Sequence, residues 1–266
     1  MKHCKRLLSL LLLLCLLVPE ALAAKSTPTP APLIISTEEL EPPALIQSVL
    51  DIAYNEWETL AGKTLKNVNK FTEWRGKGIG FGWCGGYITW CMLEAGVPMK
   101  ELEYFRKNRE DDGFYHAEGI FHVKEASVGK LLRGYQIMNR TTNVPQKGYM
   151  LVYGCSYNKT IHVALVYDVE ELGNGRYRIT TLEGNMAKRV KMFIHDYDMN
   201  AEREENLSEV PEAERVHAES DHLDYKVVTS SPNGKKGKYP YYVNCFLMTW
   251  VPDDAMNALT TPTPAP

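Results

Sequence analysis

Cys84 lies in the stretch GFGWCGGYITWC, Gly80 to Cys91, between a glycine-rich approach and an apolar run. Three readings of such a thiol are open: a nucleophile, half of a disulfide, or a small residue packed in a core helix. A nucleophilic thiol needs a lowered pKa and a base within reach. A helix N-terminus meets the first need through its partial positive charge, and its unpaired N–H groups also suit an oxyanion. The pattern from Cys84 to Ala95, stopped by Gly96 and Pro98, places the thiol at such a terminus. The base is expected to be a histidine. Among His116, His122, His162, His195, His217 and His222, only His162 opens a strong strand pattern, HVALVYDVE. A second strand, RYRITTLEG, follows the turn ELGNG. Setting Asp168 opposite Tyr177 brings His162 opposite Glu183, with Asn185 two residues on and on the same face. A carboxylate beside the imidazole would hold its tautomer, as a Cys–His pair requires.

The elements that position these groups follow from periodicity and punctuation. Pro42 and Pro43 start a first helix carrying Leu45, Val49, Ile52, Ala53, Trp57 and Leu60 at helical spacing, and Gly62 stops it. Lys63 to Trp83 reads as irregular, and a third helix is expected between Glu118 and Leu132. Strands follow at YMLVYG, IHVALVYDVE, RYRITTLEG, AKRVKMFIHDYD and YYVNCFLMTWVP. Helices first and an antiparallel sheet afterwards define an α+β domain. Cys91, two helical turns beyond Cys84, reads as packing, and whether Cys155 and Cys245 pair stays open. His116 and His122 are expected at the surface. His195, His217 and His222 are read as members of a solvated acidic loop, since their spacing matches no zinc pattern, and no metal site or cofactor is expected. Trp83 and Tyr87 are expected to line a substrate groove.

The chain has 266 residues. Residues 1–23 read as a secretory signal: MKHCKR is basic, Leu7 to Val18 is an apolar run of 12 residues, and cleavage is expected after Ala23. That run is too short to span a bilayer, and no other segment qualifies. TPTPAP occurs twice, at Thr27–Pro32 and Thr261–Pro266, so residues 24–37 and 253–266 read as an extended linker and a tail around one folded unit at 38–252. From Asp196 to Asp224, eleven acidic residues meet only Arg203 and Arg215. The rest of the mature chain is mildly basic, which suits an anionic polymer such as cell wall. No arginine-rich helix or aromatic-basic repeat points to nucleic acid. Cleavage of the signal leaves four of the six cysteines, too few to staple a fold of this size, so a hydrophobic core must hold it.

GWCGGYITWCMLEAGV, IHVALVYDVE and TTLEGN, in this order, resemble the CHAP family, the cysteine, histidine-dependent amidohydrolases/peptidases. The matching positions are Trp83, Cys84, Ala95–Gly96, His162, Glu183 and Asn185. The resemblance implies a papain-like α+β fold and a secreted hydrolase of peptidoglycan, an N-acetylmuramoyl-L-alanine amidase or a stem or cross-bridge endopeptidase. It makes Cys84 the nucleophile, His162 the base, and Glu183 and Asn185 its orienting groups. A monomer without cofactor, secreted and extracellular or cell-wall associated, is expected. A cysteine peptidase acting on protein and a non-catalytic wall-binding module are the alternatives. Three departures stand out. Gly85 and Gly86 follow the cysteine, where better helix formers are usual, and are expected to loosen the helix start or admit a bulky substrate. Gly148–Tyr149 replaces the usual Gly–Asp, and residues 198–238 look like an insertion. Thr72 to Trp83 holds no aspartate, so the calcium site of some relatives is not expected.

Overall fold

The structure, a computed structural model, describes residues 40–107, 119–156, 159–200, 225–227 and 242–251. The expected signal, linker and tail, and nearly all of the acidic insertion, lie outside the described residues. Helix α1 (Ala44–Thr59) starts after Pro43 and buries Ile46, Val49, Leu50, Ala53 and Trp57 on one face. A short helix within the stretch read as irregular, α2 (Lys70–Glu73), starts at Asn69, which forms a reciprocal capping box with Thr72. Helix α3 (Cys84–Glu94) follows Trp83 without any capping side chain. Its first-turn N–H groups therefore remain available to other acceptors.

Helix α3 is buried almost all round, through Gly85, Gly86, Tyr87, Ile88, Thr89, Cys91 and Met92. The paired glycines make this depth possible. A Cβ on Gly85 would lie 2.4 Å from the Ala126 carbonyl oxygen, and one on Gly86 would lie 2.7 Å from that of Phe71. The glycines thus admit two neighbouring backbones, which corrects the expectation of a loosened helix start or an opening for substrate.

Strand β1 (Met99–Lys100), helix α4 (Leu102–Lys107) and strand β2 (His122–Val123) come next, with β1 and β2 paired in parallel. Helix α5 (Val128–Ile137) starts later than expected. Just before it, the Glu125 carboxylate accepts the N–H groups of Ala126 and Ser127, where the Ser127 side chain makes no cap. The remaining strands are β3 (Thr141–Thr142), β4 (Met150–Ser156), β5 (Lys159–Gly173), β6 (Arg176–Met186), β7 (Arg189–Asp198), β8 (Tyr225–Val227) and β9 (Tyr242–Leu247). Among the described residues they form one sheet in the order β3-β9-β4-β5-β6-β7-β8, antiparallel except for the β7–β8 pair. Alternation gives the sheet two apolar faces. Val152, Val163, Leu165, Leu182 and Leu247 pack with the helices, while Leu151, Tyr153, Ala164, Val166, Ile179 and Phe246 build a second cluster.

The β5–β6 hairpin turns at Asn174–Gly175, both with positive φ (55° and 74°), the conformation that matches the twist of a two-residue hairpin. Its strands run further into the turn than expected, and β5 carries register irregularities between Val166 and Asp168 and between Glu171 and Gly173. Val166 consequently faces Thr181, where the expected register had Ile179. A shift of two residues preserves which face each side chain occupies. His162 and Glu183 therefore keep the common face that the sequence suggests, although their register differs.

Candidate active site

Cys84 is the first residue of α3 and is half-buried. His162 stands near the start of β5, and its Nε2 lies 2.8 Å from Glu183 Oε2 on β6. The imidazole is little exposed and the carboxylate is buried. With Nε2–H donated to Glu183, Nδ1 is the ring nitrogen left for Cys84, and the thiol and imidazole share a hydrogen bond. The backbone N–H groups of Gly85 and Val163 also donate to the sulfur. One of these belongs to the uncapped first turn of α3 and the other to β5, so helix and sheet meet at the thiol.

Each group is shifted in the direction that nucleophilic chemistry needs. Burial alone would push the Cys84 thiol up; the hydrogen bond and charge of His162, with the two backbone donors, bring it below its ordinary value. Burial would lower His162, yet its bonds to Cys84 and Glu183 raise it to about 10. Burial would raise Glu183, but the hydrogen bond from His162 and the proximity of His195, 3.7 Å from Oε1, hold it well below the usual carboxylate range. All three shifts act toward a thiolate beside an imidazolium, with a carboxylate behind them.

The second oxygen of Glu183 is also committed. Tyr153 Oη and Thr181 Oγ1 both donate to Glu183 Oε1, each at 2.8 Å. Beyond them stands His195 on β7, with Nε2 at 2.9 Å from Tyr153 Oη and 3.2 Å from Thr181 Oγ1. His195 is 2% exposed, which corrects its reading as part of a solvated loop. The signal was present: alternation along RVKMFIHDYD groups His195 with Phe193 and Tyr197. Finding it required the β6–β7 register, set by a hairpin at Ala187–Lys188 that carries positive φ without any glycine.

The other expected site residues fall elsewhere. Asn185 adopts a left-handed backbone (φ 64°) where the β6–β7 register shifts, and its amide nitrogen lies 3.7 Å from the Cβ position of Gly82. Among the described residues no hydrogen bond joins it to His162, whereas Glu183 makes one. Trp83 and Tyr87 are fully buried, which corrects their expected place in a groove. Trp83 stacks on Phe71, and the Tyr87 hydroxyl donates to the Ala53 carbonyl. His122 is buried too, between Thr89 Oγ1 and Tyr135 Oη, contrary to its expected exposure. Cys91 packs in the core, where burial pushes its thiol up. The Cys155 side chain lies outside the described residues. Among the described residues no cluster of three His, Cys, Asp or Glu side chains could hold a metal ion, and no helix is long and apolar enough to cross a membrane.

A shifted thiol on a helix start, an imidazole and a buried carboxylate in series can carry out nucleophilic attack on an acyl carbon. The comparison with known families agrees with that class of chemistry. Residues 75–185 match the family model of the CHAP domain, a span that includes Cys84, His162 and Glu183. CHAP domains are amidohydrolases or peptidases that commonly act on peptidoglycan. No curated protein and no solved structure matches the chain.

Proposed function

We propose that this protein is an exported cysteine hydrolase that cleaves amide bonds of peptidoglycan, as an N-acetylmuramoyl-L-alanine amidase or a stem or cross-bridge endopeptidase. The observation that carries the reading is the hydrogen-bonded series Cys84–His162–Glu183 inside the matched domain. The nucleophile on a buried helix and the base on the facing sheet support a papain-like arrangement. The signal-like N-terminus and the mildly basic body support export toward an anionic wall.

In this reading the Cys84 thiolate attacks the amide carbonyl, and first-turn N–H groups of α3 stabilise the oxyanion. His162 Nδ1–H then protonates the leaving amine as the carbon–nitrogen bond breaks, which leaves a thioester. His162 next takes a proton from water, whose oxygen attacks the thioester and releases the acid and the thiolate. Glu183 keeps the proton of Nε2 in place and stabilises the imidazolium. The test is digestion of peptidoglycan from several bacteria by the mature protein, with muropeptides identified by mass spectrometry. A new N-terminal L-alanine identifies an amidase, and a cut within the stem identifies an endopeptidase. If Cys84→Ala releases the same fragments as wild type, the proposal is wrong.

A further inference from the structure

We infer that Tyr153, Thr181 and His195 form a one-way chain of hydrogen-bond donors that positions Glu183 and thereby sets the charge state of the Cys84–His162 pair. This deepens the proposed function and rests on Cys84 and His162 being the reacting pair. The direction of the chain follows from counting hydrogens. Tyr153 Oη and Thr181 Oγ1 have one hydrogen each, and both are given to Glu183 Oε1. Toward His195 these oxygens can then only accept. His195 Nε2 must therefore carry a hydrogen, shared between oxygens 2.9 Å and 3.2 Å away. Its Nδ1 is buried and has no hydrogen-bond partner, so nothing on that side of the ring competes for the tautomer.

The chain closes one side of the carboxylate. Glu183 Oε1 receives two hydroxyl donors and Oε2 receives His162 Nε2–H, so both lone pairs of Oε1 are taken and that side is closed to a competing cation. Around Glu183, β4 contributes Tyr153, β5 His162 and β6 Thr181. From β7 come His195, 3.7 Å from Oε1, and Lys191, the cross-strand neighbour of Glu183. Asp196, next to His195, pairs with Arg178 instead. Donors aimed at a buried carboxylate keep it ionised, and each donor that is itself hydrogen-bonded becomes a better one. An ionised, fixed Glu183 favours the imidazolium, and the imidazolium favours the thiolate. None of the three residues reaches the reacting atoms, so they are positioning residues.

The experiment follows alkylation of Cys84 by iodoacetamide as a function of pH, with the modified cysteine identified by mass spectrometry. It needs no knowledge of the substrate. In wild type, Cys84 should react at a lower pH than an ordinary thiol. Tyr153→Phe should move the midpoint up by about half to one pH unit, because a carboxylate that has lost one of its two Oε1 anchors is held less well against His162. His195→Leu should move it the same way by about half to one unit, and His195→Gln, which restores an N–H donor, should recover most of it. Independently of any variant, the ¹⁵N chemical shifts of His195 in the wild-type protein should show a protonated Nε2. A bare Nε2, or an unshifted midpoint in folded Tyr153→Phe, overturns the donor chain while leaving the proposed function standing. An ordinary midpoint for Cys84 in wild type overturns the proposed function itself.

Discussion

Glu183→Gln tests the catalytic reading most sharply, because the structure dictates how the amide would sit. The two hydroxyl donors at Oε1, each at 2.8 Å, favour the amide oxygen at that position. The amide NH₂ then occupies the place of Oε2, 2.8 Å from His162 Nε2. A donor there obliges Nε2 to accept, which moves the ring hydrogen to Nδ1, the atom facing Cys84. The imidazole can then no longer take the thiol proton. Reversing the amide would satisfy His162 but leave two buried hydroxyls without their acceptor, at about 1–3 kcal/mol each. The wrong tautomer should therefore dominate, and an amide for carboxylate in a catalytic triad costs about 10⁴ in rate. We expect peptidoglycan turnover to fall about 10³- to 10⁴-fold, or about 4 to 5.5 kcal/mol of barrier, with the fold intact by circular dichroism. Muropeptide release and Cys84 alkylation, each measured at pH 7, should fall together. A folded Glu183→Gln protein within threefold of wild type in both assays would refute the triad.

Gly85→Ala should destabilise the domain by about 1–3 kcal/mol, because its methyl meets the Ala126 carbonyl oxygen at 2.4 Å; urea unfolding measures this, and an unchanged midpoint contradicts the packing described for α3. The pH profile should separate two limbs. Because the Cys84 thiol is lowered and His162 is raised to about 10, alkylation should rise at lower pH than for a free thiol and stay high, whereas turnover should fall above about pH 10 as His162 loses the proton it gives to the leaving amine. Turnover that follows alkylation throughout would remove His162 from that role. His122 is held neutral by burial, with its pKa lowered to about 3. Between about pH 6.5 and 3 the unfolded chain binds a proton that the folded one does not, so stability should fall on acidification by up to about 1.4 kcal/mol per pH unit, and His122→Gln should flatten that slope in thermal melts. Asn185→Ala should slow turnover less than tenfold and leave the pH profile in place, since Asn185 does not bond His162; a shifted profile would restore it to the orienting group.

The local pattern determined much of this protein. The apolar pattern from Cys84 to Ala95 and its stop at Gly96 and Pro98 place Cys84 at a helix start, and alternation in HVALVYDVE and RYRITTLEG places His162 and Glu183 on one face. That face survived a register error because side chains alternate with a period of two, so an even slip moves a pair along the strand without turning it over. Tertiary structure decided what local pattern does not encode. Gly85 and Gly86 look like a weak helix start until the carbonyls of Ala126 and Phe71 are brought against them. Trp83 and Tyr87 look like groove residues until Phe71 and Ala53 cover them. His195 reads as one histidine among carboxylates, because the acidic stretch beside it dominates composition, while its partners Tyr153 and Thr181 stand 42 and 14 residues away on two other strands. A hydrogen bond between strands depends on register and on backbone turns such as Ala187–Lys188, whose left-handed φ no glycine announces. The proposed nucleophile and its proposed base are therefore written in local sequence, while the environment that holds their charges exists only once the strands have paired.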